Sequence, residues 1–199
     1  MQVIEIISES EGLTLRQRWA TVFVILMSVL FMLLGLNLRN QVLNATTLYE
    51  SPQAGVTALY PQNWLLDTTG SYVFRVRDMS RSGFKTTFQV SVQAIGADAQ
   101  ERNLADRLSL DRIVTFTDYR VEPLEPYIFA DGREAQALNY IYVATDASPF
   151  LQPIPTVVRG LDILTISGGQ AVVITYRADA NNFDAELPRF EQFLRQLQF

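Results

Sequence analysis

The side chains best suited to chemistry in this sequence are oxygen-bearing groups in two clusters. The first cluster could supply a general acid and a general base, and it consists of Asp118, Glu122, Glu125 and Asp131. The second crowds a turn where oxygen ligands could hold calcium, and it consists of Asp179, Asn181, Asn182, Asp184 and Glu186. No nucleophile motif or phosphate-binding loop accompanies the first cluster, and Asp184 stands where an EF-hand loop needs glycine. We therefore expect no catalytic residue and no metal site, but a solvated strand and a helix-capping turn.

The composition removes further chemistries. The 199 residues include no cysteine and no histidine. The chain therefore has no disulfide, no thiolate nucleophile and no cysteine-held metal cluster, and a Ser-His-Asp triad or a histidine-ligated haem is excluded. We expect a protein that is not an enzyme and holds no cofactor. The net charge of −5 argues against nucleic acid as a partner.

A long apolar stretch near the N-terminus predicts a membrane-spanning helix. The residues between Arg18 and Arg39 carry no charge, and a helix of about 20 residues crosses the ~30 Å core of a bilayer. The anchor positions are Trp19, Phe23, Leu26, Leu30 and Leu34. One alternative is a cleaved signal peptide, whose apolar core should be shorter. Another is a buried helix, which in a domain of this size is rarely apolar on every side.

The basic residues around this stretch predict its orientation. Arg16 and Arg18 precede it and Arg39 follows, which places the N-terminus in the cytoplasm and the C-terminal part in the periplasm. We expect a single-pass protein of the inner membrane, in contact with its lipid. The predicted divisions are a cytoplasmic tail (1–17), a transmembrane helix (18–39), a connector (40–47) and an extracytoplasmic domain (48–199).

The C-terminal part has the pattern of an α+β domain. Alternation of apolar and polar residues predicts strands over 56–60, 72–77, 88–94, 119–129, 134–145, 156–166 and 171–177. Asp131-Gly132 and Gly168-Gly169 predict hairpins, because two-residue turns favour residues that accept positive φ. Helical windows follow Asn103 and surround Phe190, with Pro188 expected in the first turn of the second helix. Hairpins make the sheet antiparallel, so we predict about six or more central strands flanked by helices.

Three segments resemble PsbP-like domains. The stretch GVTALYPQNW (55–64) resembles their opening strand, and FADGREAQALNYIY (129–142) resembles one of their hairpins. The ending AVVITYRADANNFDAELPRFEQFLRQLQF (171–199) is similar to their last strand, polar turn and closing helix. A lipocalin-like barrel or a cystatin-like sheet would share part of this periodicity.

The resemblance implies a central antiparallel sheet between helices and a role in binding. The family includes an extrinsic subunit of photosystem II, bacterial lipoproteins and a nuclear transport cofactor, which share no catalytic site. This chain departs from the photosystem subunit because it carries an anchor and lacks histidine and a lysine-rich surface. A role at a manganese cluster is therefore not implied.

Two segments are candidate docking surfaces for partner subunits. The proline-rich segment 146–156 carries large apolar side chains on a connection that is ordinarily short and polar, and the segment 79–85 combines basic and apolar groups that suit an acidic partner or lipid headgroups. The docking residues are Phe150, Leu151, Ile154, Arg81 and Phe84. A loop that covers the core and a plain hairpin loop are the alternatives.

These observations lead to one functional hypothesis and one alternative. We predict a non-catalytic accessory subunit of a larger membrane complex, with photosynthetic or respiratory electron transport as its context. The alternative is a free, membrane-tethered protein that binds a lipid or a small ligand between its sheet and a helix.

Overall fold

The computed structural model describes residues 14–81, 83–96, 100–145 and 154–199. The chain divides into two compact units between Ala45 and Thr46. The helices in the described residues are α1 (Leu15–Leu43), α2 (Glu101–Thr115) and α3 (Phe183–Gln196). The strands are β1 (Thr46–Ser51), β2 (Val56–Pro61), β3 (Leu65–Asp67), β4 (Phe74–Arg77), β5 (Thr87–Ala94), β6 (Thr117–Val121), β7 (Glu125–Ile128), β8 (Glu134–Thr145), β9 (Pro155–Ser167) and β10 (Gln170–Asp179).

The N-terminal unit is the helix α1, which starts at a capping box. The hydroxyl of Thr14 accepts a hydrogen bond from the backbone N–H of Gln17, and the side chain of Gln17 accepts one from the backbone N–H of Thr14. The helix extends past the predicted span at both ends, so residues 40–43, which we assigned to the connector, are helical. Residues 1–13 of the predicted tail lie outside the described residues.

The C-terminal unit is built on an antiparallel sheet, which confirms the predicted α+β fold. Eight described strands form this sheet in the order β3-β4-β5-β10-β9-β8-β6, with β7 also paired to β8. The strands β1 and β2 form a separate two-stranded sheet. Its strand β1 begins at Thr46 and therefore takes up the end of the predicted connector.

One face of the main sheet carries an aromatic core. The helix α3 and the β1–β2 hairpin cover this face. The ring of Phe88 lies at the centre, 5.2 Å from the ring of Phe193 and 5.3 Å from that of Phe190. The other large aromatic side chains of this core are Trp64, Phe74, Tyr176 and Phe183. This face is filled, because these rings are buried and contact one another.

The opposite face is covered only in part. The helix α2 packs Leu104 and Ala105 against Leu138, Leu164 and Val173 of the sheet. Beyond α2 the same face carries tyrosines and arginines rather than a second apolar layer. The sheet therefore has one apolar face and one face of mixed chemistry.

The predicted strand over 119–129 is divided into β6 and β7. Pro123 lies in the break, and proline has no backbone N–H to donate to a strand ladder. The backbone of Asp118 has φ 53°, and the register of β6 against β8 shifts between Thr117 and Arg120. A bulge and a proline thus make two short strands where alternation predicted one.

The two predicted hairpins are confirmed, but their turns differ. At Gly168-Gly169 both residues have positive φ, 58° and 77°, as a two-residue turn requires. At Asp131-Gly132 only Gly132 has positive φ, at 86°. The N–H of Phe129 donates to the carbonyl of Arg133, so this loop is longer than the predicted two-residue turn.

Pro188 was wrongly placed in the first turn of the last helix. The helix α3 begins at Phe183, and Pro188 lies inside it. The missing N–H leaves the carbonyl of Asp184 without its usual helical partner. Asp184 is exposed, so water can hydrate this carbonyl, while Phe190 and Phe193 keep the helix on the sheet through their burial.

Gly160 allows a close approach between β9 and a ring on β8. It pairs with Tyr140 across the two strands, and a Cβ atom at Gly160 would overlap the ring of Tyr140. Tyr140 is buried and cannot move aside. We expect Gly160→Ala to lower the free energy of unfolding by about 1–3 kcal/mol, the usual loss for an overpacked site.

Denaturant unfolding of the full chain in detergent, followed by circular dichroism, measures this loss. Gly96→Ala is the matched control, because a Cβ atom there meets no atom of the described residues within 4 Å. Equal stability of the two variants would contradict the proposed close approach.

Candidate functional site

The five predicted anchor positions all lie on α1, which is long and apolar enough to cross a membrane. Two polar side chains inside its apolar stretch bond to the helix itself. The Thr21 hydroxyl donates to the Gln17 carbonyl at 2.9 Å, and the Ser28 hydroxyl donates to the Val24 carbonyl at 2.8 Å. Lipid offers no other partner, so these bonds suit a bilayer. A signal sequence would pass the same test, and the orientation stays a prediction.

The predicted docking residues fall into two groups. Phe150 and Leu151 lie outside the described residues, whereas Ile154 is exposed. The Arg81 guanidinium lies 2.6 Å from the Glu186 carboxylate, and the ring of Phe84 meets that of Tyr142 edge-on at 6.4 Å. Both side chains therefore have partners inside this domain, and their role in docking stays a prediction.

Both predicted docking segments leave the same end of the sheet. The segment 79–85 follows β4 and leads into β5, where Arg77 pairs with Thr87. The segment 146–154 joins β8 to β9, where Thr145 pairs with Pro155. The pairing of the intervening strands brings these two connections to one end of the sheet, which sequence spacing alone did not show.

A basic pocket lies beside these segments on the mixed face of the sheet. We give this name to the pocket of about 270 Å³ whose basic lining residues are Arg75, Arg77, Lys85 and Arg177. The strands bring the arginines together, because Arg75 and Arg77 alternate along β4 and Thr87 of β5 pairs with both Arg77 and Arg177. Phe84, one of the predicted docking residues, also lines the pocket.

One carboxylate, that of Asp67, approaches the pocket. It lies 2.6 Å from the Arg75 guanidinium and 3.9 Å from that of Arg77. Hydrogen bonds from the side chain and backbone of Thr69, and then from Tyr72 and Arg75, hold the pKa of Asp67 well below its ordinary value. Asp67 is therefore ionised at neutral pH and offsets one of the four positive charges.

Asp162 and Arg112 form an ion pair on the same face under α2. Asp162 is fully buried, and the Arg112 guanidinium contacts its carboxylate. The guanidinium also lies 4.2 Å above the ring of Tyr140. Burial by itself would lower the pKa of Arg112, but the charge of Asp162 together with the smaller contributions of Tyr140 and Tyr119 raises that pKa overall. Because the fold encloses this pair, we interpret it as part of the structural core and not as a binding site.

The acidic clusters are spread out rather than gathered around a cleft. Asp118, Glu122 and Glu125 are exposed on or beside β6 and β7, and Asp131 bonds to Arg133 in its own turn. In the second cluster each of the three acids bonds to groups of the domain itself. Asp179 accepts from the backbone of Asn181 at 2.8 Å, Asp184 accepts from Arg159, and Glu186 accepts from Arg81 and Arg189.

An open groove of about 1050 Å³ runs between α2 and the edge formed by β6 and β8. Its apolar floor includes Leu124 and Leu138, and its rim carries charged groups such as Glu101, Arg102 and Glu122. The groove is on the mixed face, whereas the apolar face under α3 is filled.

Sequence analysis missed the basic pocket. The alternation of Phe74, Arg75, Val76 and Arg77 predicted that both arginines share one strand face. Nothing in the sequence indicated that Arg177, about a hundred residues further on, lies on the same face two strands away. One sequence feature could have indicated the pocket. Arg177 lies in a strand whose other residues are mostly apolar, as in a buried strand, and an arginine there needs a polar partner.

The layers of helix, antiparallel sheet and helix define an α+β sandwich, and a solved structure with this fold confirms the predicted PsbP-like architecture. The solution structure of cyanobacterial PsbP (CyanoP) from Synechocystis sp. PCC 6803 is similar with a TM-score of 0.56 and 14% sequence identity. The likeness covers 77% of this chain and 92% of that one. At this identity the likeness establishes the fold.

Two further solved structures show weaker likeness. The Ran-binding protein Mog1p of Saccharomyces cerevisiae has a TM-score of 0.48 and 11% identity, over 77% of this chain and 95% of that one. The protein PA94 of Pseudomonas aeruginosa has a TM-score of 0.45 and 14% identity, over 78% of this chain and 98% of that one. The sequence matches no protein-family model and no curated protein.

The ion pair between Arg112 and Asp162 yields a stability prediction. Arg112→Leu leaves the buried Asp162 carboxylate without a counter-ion, and we expect the free energy of unfolding to fall by about 3–5 kcal/mol. Replacing both residues by leucine should restore most of this loss, because no buried charge then remains. Denaturant unfolding of the full chain in detergent gives these values.

Asp184→Ala is the comparison variant, because it breaks a pair in which Asp184 has 78% of its side chain exposed. Exposed pairs contribute about 0–1 kcal/mol. An Arg112→Leu variant as stable as Asp184→Ala would show that the ion pair is not the structural element described.

Proposed function

We propose that this protein is a membrane-anchored, non-catalytic accessory subunit that docks on a larger membrane complex. The helix α1 serves as the anchor, with the N-terminus in the cytoplasm and the PsbP-like domain on the periplasmic side of the inner membrane. The domain docks through the end of the sheet from which the segments 79–85 and 146–154 leave. Its partners are other subunits of the complex and the surrounding lipid.

The convergence of the two predicted docking segments is the observation that supports this proposal most directly. Large apolar side chains are exposed at this end of the domain, namely Met79 after β4 and Ile154 and Val157 at the start of β9. Ile154 has 77% of its surface exposed. Apolar groups clustered at one exposed end favour burial against another protein, because removing them from water is favourable.

Because the protein is anchored, even a weak contact is sufficient to keep it associated with a membrane partner. A domain held at the membrane meets a membrane partner at a high effective concentration, so a small contact can hold it in place. The mechanism is thus adhesive and steric, and it needs no reacting group. This matches a chain whose sequence contains neither histidine nor cysteine.

The finer part of the proposal is that the complex belongs to photosynthetic or respiratory electron transport. Its support is the fold shared with a cyanobacterial PsbP, together with the resemblance of the three sequence segments. The chain would hold neighbouring subunits and leave electron transfer to them.

Replacing one exposed isoleucine tests the docking role. Ile154→Asp puts a charge into the proposed contact, so we expect the chain to leave its complex. Native electrophoresis of membranes solubilised in mild detergent should show the wild-type chain in a large complex and the variant mainly alone. Ile128→Asp is the matched control, because Ile128 is also exposed but lies on β7, near the start of β8 and thus at the other end of the sheet.

Two results would contradict the proposal. A wild-type chain that runs alone would exclude a stable complex, and equal release of both isoleucine variants would exclude the proposed end of the sheet. The intact mass of the membrane-bound chain separates an anchor from a signal sequence, because only an anchor is retained.

The open groove between α2 and the sheet favours a second candidate, a tethered protein that binds a lipid or a small ligand. Its volume of about 1050 Å³ is large enough for such a ligand. In that case native mass spectrometry of the full chain should find a bound molecule, and Leu138→Glu, at the groove floor, should lose it. Leu110→Glu, which changes the exposed rim, serves for comparison. A ligand-free wild-type chain would count against this candidate.

A further inference from the structure

We propose that the basic pocket binds a phosphoryl group, presented either by a soluble phosphate ester or by a lipid headgroup. The inference is independent of the docking role, because it rests on the charges and donors of the pocket alone. It assigns a binding function to Arg77 and Arg177, which neither the fold comparison nor the docking proposal uses, and to Lys85, the last residue of the docking segment 79–85.

The pocket holds a surplus of positive charge in an acidic chain. Lys85 is the one lysine of the sequence, and it joins three arginines at this site although the net charge of the chain is −5. Asp67 offsets one of the four charges through its contact with Arg75. A dianionic group matches the remaining charge better than a single carboxylate does.

The other partly buried arginines among the described residues of the domain show that this surplus is unusual. Each of them has an acid within 4 Å, and they are Arg112, Arg133, Arg159 and Arg189. Within the described residues, Arg177 and Lys85 have no such acid, and Arg77 reaches only the oxygen of Asp67 that already bonds to Arg75. The described residues thus gather four cations here around a single carboxylate, which is typical of an anion site.

The guanidinium groups also carry donors that the domain does not use. The Nε atoms of Arg75, Arg77 and Arg177 are buried and lack a hydrogen-bond acceptor within the described residues. A buried donor without a partner is destabilising, and three such donors belong to residues that line one pocket, which favours an acceptor there. The Nε and terminal nitrogen of an arginine form a planar fork that binds phosphate oxygens in pairs.

The remaining lining suits a small phosphate ester. Thr145 contributes a hydroxyl group, and Phe84 and Ala144 add apolar surface, whereas the hydroxyl of Thr87 already donates to the carbonyl of Lys85. The pocket volume of about 270 Å³ is sufficient for a phosphoryl group with a short organic substituent. A protein segment would instead need an extended groove to follow, which favours the small anion over an acidic peptide.

Calorimetric titration of the full chain in detergent with inorganic phosphate and with glycerol 3-phosphate tests the site. We expect both to bind, and the double variant Arg77→Gln/Arg177→Gln to weaken binding at least about tenfold. The double variant Arg102→Gln/Arg120→Gln is the matched control, since it removes the same charge from exposed positions outside the pocket. It should bind phosphate as the wild-type chain does.

Arg177→Lys separates paired hydrogen bonding from charge alone. Lysine keeps the positive charge but lacks the planar pair of guanidinium nitrogens. The affinity of this variant for phosphate should therefore lie between the wild-type value and that of the double variant Arg77→Gln/Arg177→Gln. This milder change keeps the test informative should the double variant unfold, which circular dichroism of each variant checks.

Measurements in lipid nanodiscs distinguish a lipid headgroup from a soluble ester as the source of the phosphoryl group. If a headgroup fills the pocket, discs with phosphatidic acid should suppress the heat of phosphate binding, and discs with phosphatidylcholine should not. If a soluble ester is the ligand, both kinds of disc should leave that heat unchanged.

Three results would overturn the proposal. The first is no binding of inorganic phosphate or glycerol 3-phosphate up to about 10 mM, and the second is equal binding by both double variants. The third is binding of a glutamate-rich peptide in the absence of phosphate binding, which would make the pocket a contact for protein carboxylates.

Discussion

The antiparallel pairing of β10 with β5 and β9 is the constraint on which the rest of the domain depends. It sets Tyr176 opposite Phe88 and Arg177 opposite Thr87, so Tyr176 enters the aromatic core while Arg177 joins the basic pocket. Side chains alternate along a strand with a period of two. A shift of one residue would bury the arginine under α3 and place the tyrosine at the pocket. The core and the site are therefore products of the same register.

Charged side chains on the mixed face of the sheet are buried at one position and lie near the surface at another. Under α2, Arg112 and Asp162 neutralise each other beside Tyr140. At the end of the sheet, by contrast, the residues that the structure describes offer one carboxylate to four basic groups. A buried pair contributes to the choice of one structure over its alternatives, because either charge without the other is strongly destabilising. A set of unmatched cations serves binding, because its charge is satisfied from outside.

The proposed functions draw on different physical properties of one end of the domain. Docking depends on exposed apolar groups such as Met79 and Ile154 and on the high local concentration that an anchor provides. Phosphoryl binding depends on the fixed positions of arginines on neighbouring strands. The two properties can coexist because one belongs to connections and to the start of β9, and the other to side chains on the sheet surface.

Most of the fold follows from local patterns in the sequence. The apolar stretch after Arg18 specifies a helix of bilayer length, because its hydrophobicity exceeds what a surface helix tolerates. Alternation and glycine turns specify the hairpins, and the spacing of Phe190, Phe193 and Leu194 specifies the last helix. The predictions failed at Asp118, Pro123 and Pro188. A bulge at Asp118 and the missing backbone N–H of each proline changed the local structure, and burial of neighbouring residues offset the local preference of the sequence.

The candidate site was predictable only in part. The sequence by itself determined the apolar N-terminal helix, the antiparallel α+β class and the absence of histidine and cysteine chemistry, and it suggested the two segments that we propose for docking. Only the tertiary structure decided that these segments leave one end of the sheet and that Arg77, Lys85 and Arg177 share a pocket. The reason is physical: a strand's alternation is encoded locally, whereas the order of strands in a sheet depends on pairing between segments distant in the chain.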